Sequence, residues 1–228
     1  MRLLGKDSAK AVDAAFCVAC QIHSGDGKIA EYKRLWEKVK ISLPDEPETY
    51  TIANDLGAQM WMKGKHGEAR AFYIAALEGR RRLLGEEHKE SLGLLNNLGM
   101  ALSEVKDYEG AIEYYQQALT VQEKVLGKTH PDTLATIENM ATTNMEGFMA
   151  HTKGFTDLSK SEGMFRLALS DYEKSMGKEH ERTKTCAKNF AALLGLRNER
   201  EKMREQVKEY VQLLSDFQIG HMIRDLIK

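Results

Sequence analysis

Apolar residues recur along most of this chain at spacings of three and four positions, the period of a helix that buries one face. The clearest stretch holds two such runs, with Leu95, Leu98, Gly99 and Leu102 in the first and Ala111, Tyr115, Ala118 and Leu119 in the second. The polar pair Lys106-Asp107 separates the two runs. This pattern predicts two antiparallel helices joined by a tight turn.

The same arrangement is repeated, and a short junction marks each repeat. Leu-Gly-Glu-Glu-His at 84–88 recurs 42 positions later as Leu-Gly-Lys-Thr-His at 126–130. A third copy, Met-Gly-Lys-Glu-His at 176–180, follows after another 50 positions, and a weaker one, Leu-Pro-Asp-Glu-Pro at 43–47, lies 41 residues before the first. These four junctions bound about five predicted helix pairs, so the sequence indicates a repeat protein.

The junction residues suit the ends of helices. Gly127 can take the left-handed conformation that commonly ends a helix. Pro131 stands where the next helix would begin, since the first helical position tolerates its missing N–H. Asp132 then complements the positive end of the helix dipole. Each unit is therefore predicted to be a helix-turn-helix that starts afresh after its junction.

Small and aromatic residues occupy matching positions in three of the units. They are Gly57, Ala69, Tyr73 and Ala76 in the second, Gly99, Ala111, Tyr115 and Ala118 in the third, and Ala141, Ser161, Phe165 and Ala168 in the fourth. This spacing resembles the tetratricopeptide repeat, in which small residues let paired helices approach and an aromatic ring fills the groove between them. The period of 42 exceeds the usual one of about 34 residues. With its Leu-Gly-X-X-His-Pro ending, the long unit resembles the kinesin light chain type of this repeat.

The resemblance implies an all-α fold, a right-handed superhelical solenoid of about five antiparallel helix pairs. One pair cannot bury its apolar face alone, so stacked neighbours form the core and leave a concave face for binding. We expect a degenerate N-terminal helix pair over 1–42, a core array over 43–195 and, over 196–228, capping helices from the remainder of the last pair. The fourth unit carries an insertion at about 144–160, as a longer loop or an extended helix.

The first helix of each unit is expected to line the concave face. In the repeats that this sequence resembles, the residue before the conserved leucine points into the groove, and here these residues are Asp55, Asn97, Asn139 and Asn189. Neighbouring groove candidates are Asn54, Asn96, Glu104, Glu138 and Lys188. Because an Asn amide both donates and accepts, a row of them suits the backbone of an extended peptide. The alternative is that these side chains bond to adjacent helices and fix their stacking.

Charge and composition exclude several classes of protein. Lys plus Arg total 33 and Asp plus Glu total 34, so a net charge of -1 lacks the basic footprint of a nucleic-acid binder. The charge-free stretch at 14–23 is about half of the ~20 residues that span a bilayer. Three cysteines are too few for a disulfide framework. We therefore expect a cytoplasmic protein that binds neither nucleic acid nor membrane.

Two patterns near the ends of the chain have structural explanations. Cys17-X-X-Cys20 with His23 lacks a fourth ligand, so it is predicted to pack in an apolar helix and not to bind metal. A stripe at alternating spacings of four and three indicates a buried repeat helix, with a coiled-coil seam as the alternative. It comprises Met203, Val207, Tyr210, Leu214 and Phe217.

The junction histidines and an arginine triplet also have structural explanations. His88, His130 and His180 lie one repeat apart, too far for one metal ion. They are predicted to pack on the end of the preceding helix or to bond its carbonyls. Arg80-Arg81-Arg82 is predicted to be a solvated face.

The sequence contains no recognised catalytic or phosphate-binding spacing, and no cofactor or metal is expected. We predict a non-enzymatic adaptor that binds a peptide segment of a partner protein in the concave groove. In the family that the sequence resembles, the repeats bind cargo and a separate heptad region holds the motor's heavy chain. The resemblance therefore implies cargo or the kinesin heavy chain as partners. The alternative is a regulatory or sensor module of a larger nucleotide-binding or effector protein.

Overall fold

The computed structural model describes residues 26–85 and 88–215. Within these ranges all regular structure is helical and no strand occurs. The helices are α1 (Asp26–Ser42), α2 (Pro47–Met62), α3 (His66–Leu84), α4 (Lys89–Glu104), α5 (Tyr108–Val125), α6 (Pro131–Met149), α7 (Ser159–Met176) and α8 (Glu181–Ser215). The predicted all-α fold is confirmed.

Each helix packs against the next one along the chain. Three antiparallel pairs, α2 with α3, α4 with α5 and α6 with α7, form the centre of the array between α1 and α8. The first helices of successive units also contact one another, α4 with α6 and α6 with α8. Such contacts are expected on the tighter side of a curved solenoid. The first helices therefore line the concave face and the second helices lie outside.

A small residue against an aromatic ring holds each central pair together. The pairs in contact are Gly57 with Tyr73 and Gly99 with Tyr115. Ala141 and Phe165 hold the same positions in the fourth unit and belong to one buried cluster. A Cβ atom added to Gly99 would lie 2.5 Å from Cε1 of Tyr115, so glycine lets the ring sit directly on the α4 backbone. The predicted role of the small and aromatic positions is confirmed.

The junctions combine a glycine with a threonine hydroxyl. Gly127 and Gly177 end their helices with φ of 93° and 84°, in a region that favours glycine. Thr133 Oγ1 then donates to the carbonyl oxygen of Gly127 at 2.9 Å, and Thr183 Oγ1 to that of Gly177 at 2.8 Å. The end of one unit is thereby bonded to the first turn of the next.

The role predicted for the junction histidines is wrong for two of them. His130 Nδ1 accepts a hydrogen bond from the backbone N–H of Asp132 at 3.2 Å. His180 Nδ1 accepts one from the N–H of Arg182 at 3.2 Å. The backbone of His130 is extended, with φ of -64° and ψ of 139°, so its ring reaches forward to the first turn of α6. These imidazoles cap the helix that follows, where N–H groups lack partners.

The prediction that Arg80–Arg82 form a solvated face is wrong for Arg80, whereas the Arg82 side chain is 56% exposed as predicted. Arg80 is 9% exposed, and its Nη2 donates to Thr51 Oγ1 at 3.0 Å. Arg82 Nη2 donates to the carbonyl oxygen of Pro44 at 2.6 Å and to the hydroxyl of Tyr50 at 2.8 Å. The guanidinium groups therefore tie the end of α3 to α2 and to the chain just before it.

Two regions depart from the regular repeat. The fourth unit has both an extended helix and a longer loop, since α6 runs to Met149 and residues 150–158 lead to α7. Where a last helix pair was predicted, α8 is one helix of 35 residues. Residues 196–215 contain no glycine or proline to break it, and ion pairs such as Arg197 with Glu201 support it.

The expectation of a buried apolar stripe on α8 is wrong at two of its positions. Met203 and Val207 are 64% and 42% exposed, and residues 201–208 are exposed throughout. The cysteine motif at 17–23, the first helix of the N-terminal pair and Phe217 lie outside the described residues. The predictions for those segments stay predictions.

Candidate functional site

Side chains of successive first helices are linked by hydrogen bonds along the concave face. The three bonds run from Asn97 Nδ2 to Asn54 Oδ1 (3.4 Å), from Asn139 Nδ2 to Asn96 Oδ1 (3.1 Å) and from Asn189 Nδ2 to Glu138 Oε1 (3.0 Å). All six side chains are half-buried. Together they form a series that crosses from α2 to α8, hereafter the amide ladder.

The ladder has one register throughout. Each donor is the residue just before the conserved apolar position, and each acceptor lies one position earlier in the preceding unit. These bonds support the alternative in which the amides fix the stacking of the helices. They use only part of the hydrogen-bonding capacity, because Asn96 contributes its oxygen and Asn97 its nitrogen. The opposite end of each of these two amides remains available to a ligand.

Glu138 is an ionisable member of the ladder. Burial raises the pKa of its carboxyl above the ordinary value. The hydrogen bond from Asn189 and the nearby Arg182 guanidinium oppose that shift without cancelling it. The last bond of the ladder is therefore sensitive to pH, whereas the two between amides are not.

A cavity of about 580 Å³ lies beside the middle of the ladder, hereafter the amide cavity. Its lining comes from α4, α6, the end of α5 and the start of α8, and consists of Leu92, Gly93, Asn96, Asn97, Gln122, Leu126, Asp132, Ala135 and Arg182. Arg182 Nη1 lies 3.7 Å from Asp132 Oδ1 and 3.4 Å from the carbonyl oxygen of Pro131. The two charges of the lining therefore offset each other, which leaves three amides as its polar surface.

A smaller cavity of about 120 Å³ lies further along α4 and α6, and both Glu104 and Asn139 line it. Here Thr143 Oγ1 donates to Ser103 Oγ at 3.1 Å, and Ser103 Oγ donates to Glu146 Oε2 at 3.1 Å. These bonds link the inner helices α4 and α6 along the wall of the cavity. They join the third unit to the fourth, and the cavity offers little room to a ligand.

The other predicted groove residues lie around the ladder. Asp55 is half-buried and accepts a hydrogen bond from Asn54 Nδ2 at 3.4 Å. Glu104 and Lys188 are exposed on α4 and α8. Glu104 Oε2 lies 4.0 Å from Nε2 of His66, the first residue of α3 in the neighbouring unit. The structure therefore joins seven of the nine predicted residues by hydrogen bonds and places the remaining two, Glu104 and Lys188, on the same inner helices.

The sequence analysis did not identify Gln122 and Gly93 as site residues. Gln122 belongs to an outer helix, yet its side chain is 3% exposed and lines the amide cavity. Comparison of repeat positions would have found them, because Gln122 lies 42 positions after Arg80 and Gly93 lies 42 positions after Thr51. These residues stand out because the units differ at their positions, whereas the predictions relied on residues that the units share.

Within the described ranges the chain has neither a cluster of metal ligands nor a helix that could span a membrane. No group of three His, Cys, Asp or Glu side chains there could hold a metal ion. None of the helices in those ranges is both long and apolar enough to span a bilayer. Burial raises the pKa of the Cys186 thiol to about 12, which favours its uncharged form at neutral pH.

Two sequence profiles of the tetratricopeptide repeat match the chain, one over residues 48–109 and one over residues 91–132. No curated protein sequence matches it. The matched residues contain the junction and the glycine–tyrosine pairs from which the resemblance was inferred. Recognition of the repeat from its small and aromatic positions is therefore confirmed.

Several solved structures share the fold. The nearly identical TPR-like repeats of a kinesin light chain-like protein from Podosopora anserina match with 16% identity and a TM-score of 0.63, covering 91% of this chain and 94% of that chain. A variant of the same protein gives 16% identity and 0.64, with coverage of 92% and 95%. BtubC (BKLC) from P. vanneervenii gives 16% and 0.62, with 97% and 90%. Residues 48–132 thus carry tetratricopeptide repeats, and the solenoid has the fold of these kinesin light chain-like repeat structures.

Proposed function

We propose that this chain binds an extended segment of a partner protein along its concave face. Tetratricopeptide repeats form protein-interaction scaffolds and are typically not enzymes. The observation that carries the proposal is the amide ladder, a row of half-buried amides on the inner helices with part of its hydrogen-bonding capacity left over.

The chemistry of an amide row fits a peptide backbone. An extended chain presents N–H and C=O groups along its length, and an amide side chain can bond to either. Because the ladder already holds its amides in one orientation, less side-chain entropy is lost when a ligand binds. The exposed side chains of Glu104 and Lys188 then lie on the same inner helices, where they can contact the partner's side chains.

The partner class follows from similarity. The related folds are described as kinesin light chain-like, so cargo segments and the kinesin heavy chain are the first partners to test. Such partners supply an extended segment to the groove, and the array supplies no reaction.

Site-specific photo-crosslinking tests the location of binding. A photoreactive amino acid would replace Glu104 or Lys188 on the inner helices and, as matched controls, Arg70 or Glu113, which are exposed on the outer helices α3 and α5. We expect the same partner to crosslink from both inner positions and from neither outer position. Equal crosslinking from outer and inner positions would place binding elsewhere and contradict the proposal.

Loss of ladder amides tests the chemistry. Asn97→Ala and Asn139→Ala each remove a ladder donor, and thermal unfolding monitored by circular dichroism shows whether the variant is folded. We expect the folded double variant to bind the crosslinked partner at least about tenfold more weakly than wild type, since two amides are lost. Unchanged affinity would mean that these amides serve helix stacking alone.

A further inference from the structure

Helix α8 extends well beyond the helix that it packs against. It has 35 residues, whereas α7 before it has 18. In its first half Leu193 is fully buried. Further along, the Arg200 guanidinium still contacts the fourth unit, since it lies 4.7 Å from the centre of the Phe148 ring and donates to the carbonyl oxygen of Thr156 at 3.4 Å. Residues 201–208 are exposed, so this part of α8 stands clear of the array.

An apolar stripe follows the part of α8 that stands clear. Met203 and Val207 are 64% and 42% exposed. Tyr210 and Leu214 continue the same side of the helix, because the three intervals are four, three and four residues. These four residues are hereafter the α8 stripe. A short helix without a packed face is marginal in water, so covering the stripe would stabilise this end of the chain.

The spacing of the stripe selects a helix as its partner, and its symmetry selects a second copy. Intervals that alternate between four and three are those of a seam between two helices packed side by side. The order four, three, four also reads the same in both directions. When two copies are set antiparallel, Met203 of one therefore lies opposite Leu214 of the other, and Val207 opposite Tyr210.

The positions beside the stripe suit the same arrangement. In this register positions 204 and 206 of one copy lie opposite positions 211 and 213 of the other, which are Val and Leu. The aliphatic stems of Arg204 and Gln206 can cover these apolar residues while their polar ends reach solvent. Such a contact places no two like charges opposite each other across the seam.

The connection between α6 and α7 selects the antiparallel orientation. Phe155 and Thr156 line a cavity of about 490 Å³ together with Leu196, Arg200 and Met203. These three residues of α8 are spaced by four and three, so the connection lies on the side of the stripe, just before it begins. Two parallel helices would bring both connections to one level, between the helices. Antiparallel helices place them at opposite ends of the seam.

We propose that two copies of this chain form an antiparallel dimer through the α8 stripe, with the twofold axis between Val207 and Tyr210. The contact is isologous, because each copy contributes the same patch. Residues 203–214 span about 18 Å of helix, so the interface is small and the dimer dissociates on dilution. The dimer carries two concave faces and would bind a partner with two binding segments more tightly than a monomer does.

Sedimentation velocity of the full chain over a dilution series tests the contact. We expect wild type to convert from dimer to monomer as it is diluted. Met203→Gln with Val207→Gln should weaken dimerisation by at least about tenfold, since each copy loses two apolar residues from the seam. Lys202→Gln with Glu205→Gln is the matched control, because both residues are exposed on α8 beside the stripe and the net charge again stays the same. It should dimerise like wild type, and circular dichroism checks that both variants are folded.

Disulfide crosslinking tests the orientation in a chain that carries Cys17→Ser and Cys20→Ser. Met203→Cys and Leu214→Cys are prepared as separate variants and oxidised with copper phenanthroline, alone and as an equal mixture. An antiparallel seam brings the two thiols together only between unlike chains. We therefore expect a linked dimer from the mixture and from neither variant alone.

The outcomes decide the proposal. A wild-type chain that stays monomeric at every concentration overturns it. Slow reaction of Met203→Cys with a water-soluble maleimide would then show that another part of the chain, such as residues 216–228, covers the stripe, and fast reaction that the stripe is free. A dimer that persists in the stripe variant, or that the control weakens equally, also overturns it, as does crosslinking of either cysteine variant alone. Selective loss in the stripe variant, with crosslinks in the mixture only, supports it.

Discussion

The third and fourth units build the same helix pair with different chemistry. In the third, Tyr115 packs over Gly99 and residues 105–107 join α4 to α5. In the fourth, Phe165 takes the place of the tyrosine beside Ala141, and residues 150–158 join α6 to α7. Both residues are at most 1% exposed. The buried ring and its small partner therefore determine the pairing, and the length of the connection does not.

The two connections nevertheless begin in the same way. Lys106 and His151 follow their helices with φ of 68° and 52°. After each, the next backbone N–H donates to the carbonyl five positions earlier at 2.9 Å. The extra residues of the fourth unit follow this shared helix end, and Phe155 folds them back onto Tyr108 with ring centroids 5.9 Å apart. An insertion at this point leaves both helices undisturbed.

The largest expected effect comes from filling the close approach in the third unit. Gly99→Leu places a side chain where even its Cβ atom would lie 2.5 Å from the Tyr115 ring. We expect a loss of about 3 kcal/mol in the free energy of unfolding, since a packed core cannot absorb that volume without strain. Urea denaturation followed by circular dichroism measures it. Gly163→Leu, at an open position on α7, is the control, and equal losses in the two variants would contradict the packing argument.

An exchange of the two aromatic residues gives the next largest effect. Phe165→Tyr buries a hydroxyl near Leu193, which stands where the preceding unit has Thr143 and is fully buried. We expect it to cost about 2 kcal/mol, because that hydroxyl finds no partner there. Tyr115→Phe loses only the hydrogen bond to Thr143 and should cost about 1 kcal/mol. Thermal unfolding compares them, and the reverse order would contradict the assignment.

A smaller effect is expected at the shared helix end. Lys106→Gly should stabilise the protein by about 0.5 kcal/mol, because glycine takes a positive φ without the steric penalty of a side chain. Gly64→Ala should act in the opposite direction, since Gly64 holds the equivalent position in the second unit with φ of 72°. Denaturant midpoints with an unchanged slope are the measurement. A Lys106→Gly variant less stable than wild type would show that the Lys106 side chain makes stabilising contacts that outweigh the steric cost of its positive φ.

The smallest expected effect distinguishes the ladder of the third unit from that of the fourth. The acceptor is neutral Asn96 in one and Glu138, with its raised pKa, in the other. The contribution of Glu138 is fully present below its unfolded pKa and is lost as pH rises through the folded one. Glu138→Gln should therefore leave the melting temperature unchanged at pH 4 and raise it at pH 7. A Glu138→Gln variant less stable than wild type at pH 7 would show that the negative charge of Glu138 stabilises the fold.

The sequence predicted the features that every unit shares. Helix pairs, glycine junctions and the ring at Tyr115 repeat with a fixed period, and repetition separates such signals from chance. The nine predicted groove residues lie on the first helices of their units, since the position before Leu98 and its equivalents is defined by the helix period. What the sequence left open was whether their amides bond to one another or to a ligand.

The sequence did not predict features that depend on where a particular side chain extends or on differences between units. The forward cap by His130 depends on the backbone angles of one residue. The burial of Arg80 depends on a partner, Thr51, that lies 29 positions away on another helix. The amide cavity is lined by Gly93 and Gln122, which stand where the preceding unit has Thr51 and Arg80. A search for shared pattern averages over such differences.

The ladder has a direction, because each of its bonds runs from a donor in one unit to an acceptor in the preceding unit. This direction determines which residues an added unit would need. The third and fourth units each carry both a donor and an acceptor, so a duplicate of either could join the series without any change in its neighbours. In the last unit the acceptor position is occupied by Lys188, whose ammonium has three donors and no acceptor. A sixth unit stacked on α8 would meet a donor where it needs an oxygen. Lys188 therefore cannot supply the oxygen with which a further unit would continue the ladder.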